Sequence, residues 1–315
     1  MATPVVRPLR ESELPVADRI FRVSFGTFLG LEDPMTFGGD ADIVGSRWRT
    51  DPTAVLAAKL DGEIVGSNCA INWGSVGLFG PLTVRPDLWN RGIAKRLLEP
   101  TIDCFEAWRS EHLGLFTFPN SPKHLGLYQK FGYWPRTLIA VMAKPVVRGQ
   151  LPAHGARLSE TPERDRGGYV RACREVTDSV YAGLNVEREI EAVASQAIGD
   201  TILLPDDAKL AGFSVCDFGP GSEAETKDVC LVKFGAVRGG DGAAERFERL
   251  LDACEALAVA RGHARLVACV NTGRHEAYRR MLARGFRTDF TGVAMHRFNA
   301  PGYDRSDVFV VDDWR

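Results

Sequence analysis

The stretch that decides the fold is Val84-Arg85-Pro86-Asp87-Leu88-Trp89-Asn90-Arg91-Gly92-Ile93-Ala94. The apolar residues before it predict a strand, and the apolar spacing after it predicts a helix that starts near Gly92. Backbone amides at a helix N-terminus are free and lie at the positive end of the helix dipole, so they suit a phosphate or pyrophosphate group. The stretch therefore predicts an anion-binding turn between a strand and a helix.

The residue types in this turn favour the approach of a ligand. Gly92 and Ala94 are small, which lets a ligand come close to the backbone, and Arg91, Lys95 and Arg96 add positive charge. The same residues also fit a basic surface on an ordinary strand-to-helix turn. The turn alone leaves both interpretations open.

The residues before the turn predict a strand, a helix, a hairpin of two strands and then a third strand. Residues 54–60 and 64–73 are apolar runs on either side of Asp61-Gly62, a pair that is typical of a hairpin turn. A third strand is predicted from about residue 76 to residue 84. After the helix, residues 113–118 predict a buried strand, residues 124–130 a short helix and residues 137–142 the last strand of this half. Residues 145–152 are predicted to be a linker.

The second half of the chain repeats this order of elements. Residues 228–237, 264–270 and 291–298 predict strands, and residues 243–260 and 276–283 predict helices. Val84 and Val237 are 153 positions apart, as are Gly132 and Gly285, so the halves align as a duplication. The apolar residues 308–311 are expected to add a further strand.

Length and composition limit the class of protein. A chain of 315 residues predicts about two domains, here residues 1–147 and 153–315. A formal net charge of −2 gives no argument for a nucleic-acid or membrane partner. The seven cysteines form no CxxC pair, the start has no signal-peptide pattern, and the histidines show no metal-ligand spacing, so we expect a cytoplasmic protein without a metal.

The turn resembles the cofactor loop of the GNAT superfamily of acyl-CoA-dependent N-acyltransferases, whose pattern is V-x-P-x-x-[QR]-x-x-G-x-[GA]. Val84, Pro86, Gly92 and Ala94 match this pattern, whereas Trp89 replaces the usual glutamine or arginine. Two further features follow in the family's order: Asn120 after the next strand, and Leu127-Tyr128-Gln129-Lys130-Phe131-Gly132-Tyr133, which is similar to L-Y-x-K-x-G-[FY]. The resemblance covers residues 1–145 and, more weakly, residues 156–298. It implies two tandem GNAT-like α/β domains, each a mixed sheet flanked by helices.

The resemblance implies acetyl-CoA as the co-substrate and a role for each matching residue. Leu82 and Val84 would bind the pantetheine arm through their backbone, the loop would hold the pyrophosphate, and Tyr128 would be the general acid that protonates the departing thiolate. The implied cofactor-binding residues are Leu82, Val84, Trp89, Asn90, Arg91, Gly92, Ile93, Ala94, Lys95 and Asn120. The alternatives are that Tyr128 is a packed aromatic residue and that Asn120 bonds only its own loop.

The general base is not identified by the sequence. An alkylammonium with a pKa of about 10.4 must lose a proton before it attacks a thioester. Family members often use a carboxylate on the strand before the loop, but residues 75–84 contain no acid. His124 is a candidate by position, although a solvent-exposed helix histidine is the simpler interpretation. An acceptor that binds in its neutral form would need no base.

The second half departs from the pattern. Its loop, from Val237 to Gly242, is three residues shorter and lacks the proline, and Met281 stands at the tyrosine position. Tyr278 lies one helical turn earlier and could substitute for the tyrosine, whereas the thioether of Met281 cannot donate a proton. We expect this half to be a degenerate copy that stabilises the first half and walls the acceptor cleft.

Together these features predict an acetyl-CoA-dependent N-acetyltransferase whose first half acts on an amine of a small molecule or a peptide. The acceptor would be lined by loops such as residues 25–37, which do not reveal its identity. A non-catalytic acyl-CoA sensor and a structural relic of the fold are the alternatives, and the oligomeric state stays open.

Overall fold

The computed structural model describes residues 3–147, 155–206 and 209–315. We call residues 3–147 the first half and residues 155–315 the second half. The strands of the first half are β1 (Val5–Pro8), β2 (Val55–Leu60), β3 (Glu63–Trp73), β4 (Val76–Phe79), β5 (Thr83–Val84), β6 (His112–Thr117) and β7 (Tyr133–Pro145). Its helices are α1 (Leu14–Leu29), α2 (Ile43–Thr50), α3 (Ile93–Trp108) and α4 (Pro122–Gln129).

The second half has the same kinds of elements. Its strands are β8 (Ala156–Arg157), β9 (Gly199–Asp206), β10 (Lys209–Asp217), β11 (Val229–Val237), β12 (Arg265–Asn271), β13 (Arg287–Arg297) and β14 (Val310–Asp312). Its helices are α5 (Glu163–Val180), α6 (Glu187–Ser195), α7 (Ala243–Ala260) and α8 (His275–Ala283). The mixed α/β fold class predicted from the sequence is confirmed.

The two halves exchange their long strands β7 and β13. The strands of the described residues form one sheet in the order β1-β2-β3-β4-β6-β13-β7-β12-β11-β10-β9-β8. Strand β13 therefore lies between β6 and β7 of the first half, while β7 lies between β13 and β12 of the second half. Each half thus completes the sheet of the other.

The duplication extends to the register of the strands. The parallel pair β4 and β6 aligns Val76 with His112, and the parallel pair β11 and β12 aligns Val229 with Arg265. Both residues of the second pair lie 153 positions after those of the first. The offset inferred from the sequence is therefore also the offset of the structure, which lets the two halves be compared residue by residue.

The predicted hairpin at Asp61-Gly62 is confirmed by β2 and β3, which pair in antiparallel register. The predicted strand over residues 76–84 is wrong as a continuous element, because it divides into β4 and β5 at Gly80–Leu82. The last strand of the first half is longer than residues 137–142, since β13 and β12 pair along both its edges. The expected extra strand near residues 308–311 is β14, which pairs with β11.

The predicted linker is not seen as a separate segment. Pro145 belongs to β7, and residues 148–152 lie outside the described residues. A single hydrophobic cluster contains Trp73 and Leu78 of the first half together with Phe213 and Phe234 of the second. The division into domains at residues 147 and 153 therefore stays a prediction.

A buried histidine lies where β6 meets the exchanged strand β13. His112 is 1% exposed, and its ring packs edge-on against that of His296 at 4.7 Å between centroids. Neither ring nitrogen of His112 has a hydrogen-bond partner among the described residues. Burial, and secondly the neighbouring His296, lower the pKa of His112 to about 4. His112 is therefore neutral in the folded protein at neutral pH.

We expect a fragment of residues 1–147 to be insoluble or inactive. Without β13 this fragment has no strand between β6 and β7, so both strands would present unpaired edges and apolar faces to solvent. The measurement is soluble yield and size-exclusion behaviour. Co-expression with residues 155–315 serves as the control and should restore a soluble complex. A stable, monomeric fragment would contradict the exchange of strands.

His112 should make the protein sensitive to acid. Because its folded pKa lies below the unfolded value of about 6.5, the unfolded chain binds the proton first, and the free energy of unfolding falls as pH decreases from 6.5 to 4. Replacing His112 by Leu should reduce this loss by about 3 kcal/mol, measured by urea denaturation at both ends of the range. The exposed His275→Gln change is the control. Parallel pH curves for all three proteins would refute the assignment.

Candidate functional site

The sheet opens between the two strands that precede and follow α3. Strand β4 pairs with β6 as far as Leu78 and Gly114, and β5 then pairs only with β3 on its other side. The Arg85 N–H donates to the Val65 carbonyl on that β3 side, at 2.9 Å. Because successive peptide groups of a strand point to opposite edges, the N–H and C=O of Val84 face the opening towards β6.

The Val84 carbonyl already has partners. It accepts hydrogen bonds from Ser24 Oγ at 2.9 Å and from Trp89 Nε1 at 2.7 Å. Trp89, which departs from the family pattern, therefore fastens its own loop to the end of β5. Of the Val84 backbone groups, the N–H is the one that could bind a ligand in the opening.

The loop after β5 presents the N-terminus of α3 to solvent. Asn90 and Gly92 both have positive φ, and a side chain added at Gly92 would meet no neighbouring atom within 4 Å. The first turn of α3 contains no acidic residue. Arg91, Gly92 and Lys95 are exposed, whereas Ile93 is buried and anchors the turn. The amides of this turn are therefore accessible from outside the protein.

Three cations surround this helix N-terminus without a carboxylate partner. Arg91 and Lys95 form no ion pair with any described residue, and Lys123 of α4 lies over the Trp89 ring at 5.2 Å. Arg96, by contrast, pairs with Glu99 at 3.3 Å. The sequence alone does not place Lys123 at this site, because Lys123 belongs to α4 and only folding brings it beside the α3 N-terminus. The resulting local charge suits an anion.

Asn120 and Tyr128 lie on the β6 side of the opening. Asn120 is exposed in the turn after β6, and the neighbouring Ser121 accepts the cap hydrogen bond from the His124 N–H at 3.4 Å. Tyr128 is 8% exposed and packs on Phe79 with ring centroids 5.7 Å apart. Since Phe79 is the last residue of β4, Tyr128 lies next to the place where the strand divides.

Two buried tyrosines near this break differ in their hydrogen bonding. Burial raises the pKa of Tyr128 well above its usual range, and a side-chain hydrogen bond with Thr117 opposes part of that shift. Tyr133 also packs on Phe79, at 5.6 Å, but its hydroxyl has no partner among the described residues. Both hydroxyls stay protonated at working pH, so both could act only as proton donors.

His124 is not solvent-exposed, contrary to the simpler sequence interpretation. It is half-buried in a group of aromatic rings, where its ring centroid lies 4.8 Å from that of Phe28 and 6.5 Å from that of Phe118. Burial and then the charge of Lys123 lower the pKa of His124, which keeps the ring neutral and able to accept a proton. Phe25 of α1 joins the same group, 6.1 Å from Phe118. The prediction of a loop over residues 25–37 is thus wrong at its start, because Phe25 lies in α1, which ends at Leu29, but Phe25 does lie beside the opening.

In the second half the equivalent opening is filled by the chain itself. Strand β14 pairs with β11 at Phe234, Gly235 and Ala236, which correspond to residues 81–83 of the first half at the 153-residue offset. The Val237 N–H, the equivalent of the Val84 N–H, donates to the Phe309 carbonyl at 3.3 Å. A peptide strand therefore occupies the hydrogen-bonding positions that stay open in the first half.

The helix N-terminus of the second half is also covered. Gly242 caps α7 with positive φ, as Gly92 caps α3. The Arg246 guanidinium folds back and donates to the Arg238 carbonyl at 2.9 Å and to the Gly239 carbonyl at 3.0 Å. Glu245 places a negative charge in the first turn of α7, which repels an anion. Met281, at the position equivalent to Tyr128, is fully buried.

A buried ion-pair network joins the two halves next to the break in the first-half strand. Arg47 of α2 forms a two-bond pair with Glu223 of the second half, at 2.8 and 2.6 Å, and donates to the Gly80 carbonyl at 2.6 Å. Lys233 of β11 also donates to Glu223, at 2.6 Å. Despite burial, the two cations lower the pKa of Glu223 to about 2. Glu223 is therefore a structural anion and not a base.

The described residues contain no group of three or more His, Cys, Asp or Glu side chains arranged to hold a metal ion. None of the helices in the described part of the chain has the length and apolar character needed to cross a bilayer.

Comparisons with known proteins agree with this geometry. Residues 28–133 match the model of the acetyltransferase (GNAT) family, so the match contains β5, the α3 N-terminus, Asn120 and Tyr128. No curated protein matches the chain.

Solved structures share the fold at low identity. A candidate acetyltransferase from Pyrococcus horikoshii aligns with a TM-score of 0.69 at 13% identity, covering 100% of this chain and 96% of its own. A GCN5-related N-acetyltransferase from Sphaerobacter thermophilus aligns with a TM-score of 0.61 at 17% identity, covering 96% of this chain and 98% of its own. A tandem GNAT protein from the clavulanic acid biosynthesis pathway aligns with a TM-score of 0.52 at 13% identity, covering 93% of this chain and 98% of its own. Both halves together thus have the tandem GNAT fold.

Proposed function

We propose that this chain is an acetyl-CoA-dependent N-acetyltransferase, because residues 28–133 match the GNAT acetyltransferase family model and 93% of the chain aligns with the fold of a tandem GNAT protein. The acceptor would be an amine of a small molecule or a peptide. The first half would carry the reaction, and the second half would complete its sheet. The reduced cysteines among the described residues fit a cytoplasmic location, which is part of the proposal.

The observation that carries this proposal is the contrast between the two equivalent openings. In the first half the strand edge is open and the adjacent helix N-terminus is bare and surrounded by unpaired cations. In the second half a strand fills the edge, and an arginine and a glutamate cover the helix. A long anionic thioester such as acetyl-CoA has amide groups that an open strand edge could bind and a pyrophosphate that the adjacent helix N-terminus would favour.

The proposed cofactor contacts follow the family resemblance. The backbone of Leu82 and the Val84 N–H would bind the pantetheine arm, while the amides of residues 91–95 would hold the pyrophosphate. Trp89 and Asn90 would shape the loop, since Trp89 bonds to the Val84 carbonyl and Asn90 has positive φ. Asn120 would contact the cofactor from the turn after β6.

The proposed chemistry is attack of a neutral amine on the thioester carbonyl, followed by departure of the thiolate. Tyr128 would donate the proton that the thiolate needs, and its raised pKa keeps that proton in place until it is used. His124, which is neutral at working pH, is the candidate that could take the proton of the acceptor ammonium. Neutral binding of the acceptor would make such a base unnecessary.

One observation favours a second candidate function, binding of acyl-CoA without turnover. No residue between Val76 and Val84 is acidic, so the strand beside the opening offers no carboxylate base. The deciding experiment is a panel of amines with acetyl-CoA, read by release of free thiol. Release that depends on the amine supports the transferase, whereas cofactor binding without amine-dependent release supports the sensor.

We expect one acetyl-CoA to bind per chain, in the first half. Replacing Gly92 by Glu should abolish binding because it puts a negative side chain at the helix N-terminus, where it opposes the pyrophosphate. Gly242→Glu is a matched control, since both glycines cap a helix with similar positive φ and the backbone strain is alike. Calorimetry should show loss of binding in the first variant alone. Two equal sites per chain would contradict the proposal.

Tyr128→Phe should lower turnover by about 10²- to 10⁴-fold while leaving cofactor affinity nearly unchanged, because the hydroxyl acts mainly in the transition state. The measurement is kcat together with the dissociation constant of acetyl-CoA. Tyr133→Phe is the control, because it removes a neighbouring buried hydroxyl that has no partner. Equal activity of both variants, with chemistry rate-limiting, would make Tyr128 a packing residue.

A further inference from the structure

A small cavity lies between the two halves, one strand away from the break in the first-half strand. It has a volume of ≈30 Å³ and is bounded by α2, β3, α6 and the end of β10. A water molecule needs about 10–15 Å³ of such volume. The cavity can therefore take a group the size of an ammonium and its adjacent methylene, but no ring or branched group.

Four carboxylates line this cavity, and three of them have partners. Glu223 is bound by Arg47 and Lys233, as described above. Asp51 pairs with Arg188 of α6, and Glu189 accepts a hydrogen bond from the Trp73 indole N–H at 2.8 Å. Each of these three carboxylates therefore already has at least one donor within the protein.

The fourth carboxylate, Asp217 at the end of β10, is different. It is 3% exposed, and its Oδ2 has only a long contact of 3.5 Å with the Glu223 N–H. Its Oδ1 has no hydrogen-bond partner among the described residues. Leaving a buried carboxylate oxygen without a donor is costly, so the site favours a ligand that brings donors and positive charge.

The surroundings of Asp217 explain why an ammonium fits better than a neutral group. Burial and then the nearby Glu223 raise the pKa of Asp217 to about 8. A primary ammonium supplies three donors and one positive charge, which would satisfy Oδ1 and balance the acid. Such a guest would return the pKa of Asp217 towards its ordinary range, and its own binding would become tighter as Asp217 loses its proton.

The cavity is connected to the proposed reaction centre through Arg47. The same guanidinium lines the cavity and donates to the Gly80 carbonyl, where β4 ends and the opening begins. A molecule whose ammonium is held in the cavity would therefore contact the same arginine that holds the Gly80 carbonyl between β4 and β5.

We propose that this cavity binds the ammonium group of a small primary amine, with Asp217 of the second half as its counter-ion. The inference rests on the proposed transferase function for its meaning, because the bound ammonium would anchor the acceptor through the second half while a different, neutral amine of the same molecule attacks the thioester. Asp217 is an acceptor-binding residue in this account. Branched or quaternary amines are excluded by the size of the cavity.

The test measures binding of propylammonium chloride to the full-length protein at neutral pH, with and without saturating CoA, by calorimetry. One equivalent should bind to the wild type, and Asp217→Asn should weaken binding about tenfold or more, as expected for a lost charged hydrogen bond. Glu225→Gln is the control, since this exposed carboxylate pairs with Arg315 outside the cavity. Tetramethylammonium should not bind.

The pH dependence separates recognition from a structural role. The affinity for propylammonium should rise between about pH 6 and pH 8 as Asp217 ionises, and this rise should vanish in Asp217→Asn. The other charged groups of the site, Glu223, Glu189, Asp51, Arg47, Arg188 and Lys233, are unchanged in that variant. Its thermal midpoint should not fall, because the amide removes an unpaired buried acid.

The possible outcomes distinguish this inference from the proposed function. No saturable binding to the wild type, or equal binding to Asp217→Asn, overturns the inference. Amine acetylation with an unchanged KM in Asp217→Asn overturns it too, while the transferase function stands. Binding that depends on Asp217 without any amine-dependent thiol release supports the site and removes the transferase.

Discussion

The structure depends on the insertion of β13 between β6 and β7. Backbone hydrogen bonds between β13 and its two neighbours join residues 112–117, 133–145 and 287–297 into one sheet. Neither half therefore has a complete sheet without the other. The same insertion brings the second half against the first half, where Glu223 meets Arg47. The break in the first-half strand is thereby supported by residues from both parts of the chain.

The two halves show how one fold can leave a strand edge open in one copy and fill it in the other. Their parallel strand pairs have the same register at an offset of 153 residues, so the difference is not one of architecture. It arises from the chain near residues 309–312, which fills the strand edge of the second half, and from Arg246, which covers its loop. Local contacts decide which strand edge is open, while the fold is common to both.

The elements and their duplicated order could be predicted because apolar periodicity and turn residues act locally. The hairpin at Asp61-Gly62 and the helix Ala243–Ala260 are examples. The exchange of β7 and β13 could not be predicted, since alternating apolar residues show that a strand is buried but not which strand lies beside it. The pairs Lys123–Trp89 and Arg47–Glu223 could not be predicted either, because each forms only when the chain folds. The division of the 76–84 strand depends on pairing partners that the local sequence does not specify.

We propose that acetyl-CoA binds in the first half alone. Hydrogen–deuterium exchange of the full-length protein with and without acetyl-CoA can test this binding, because both openings are observed in one experiment. We expect slower exchange in peptides that contain residues 82–96 and 118–128, and no change in peptides that contain residues 233–246. Equal protection of both regions, or protection confined to the second half, would contradict it.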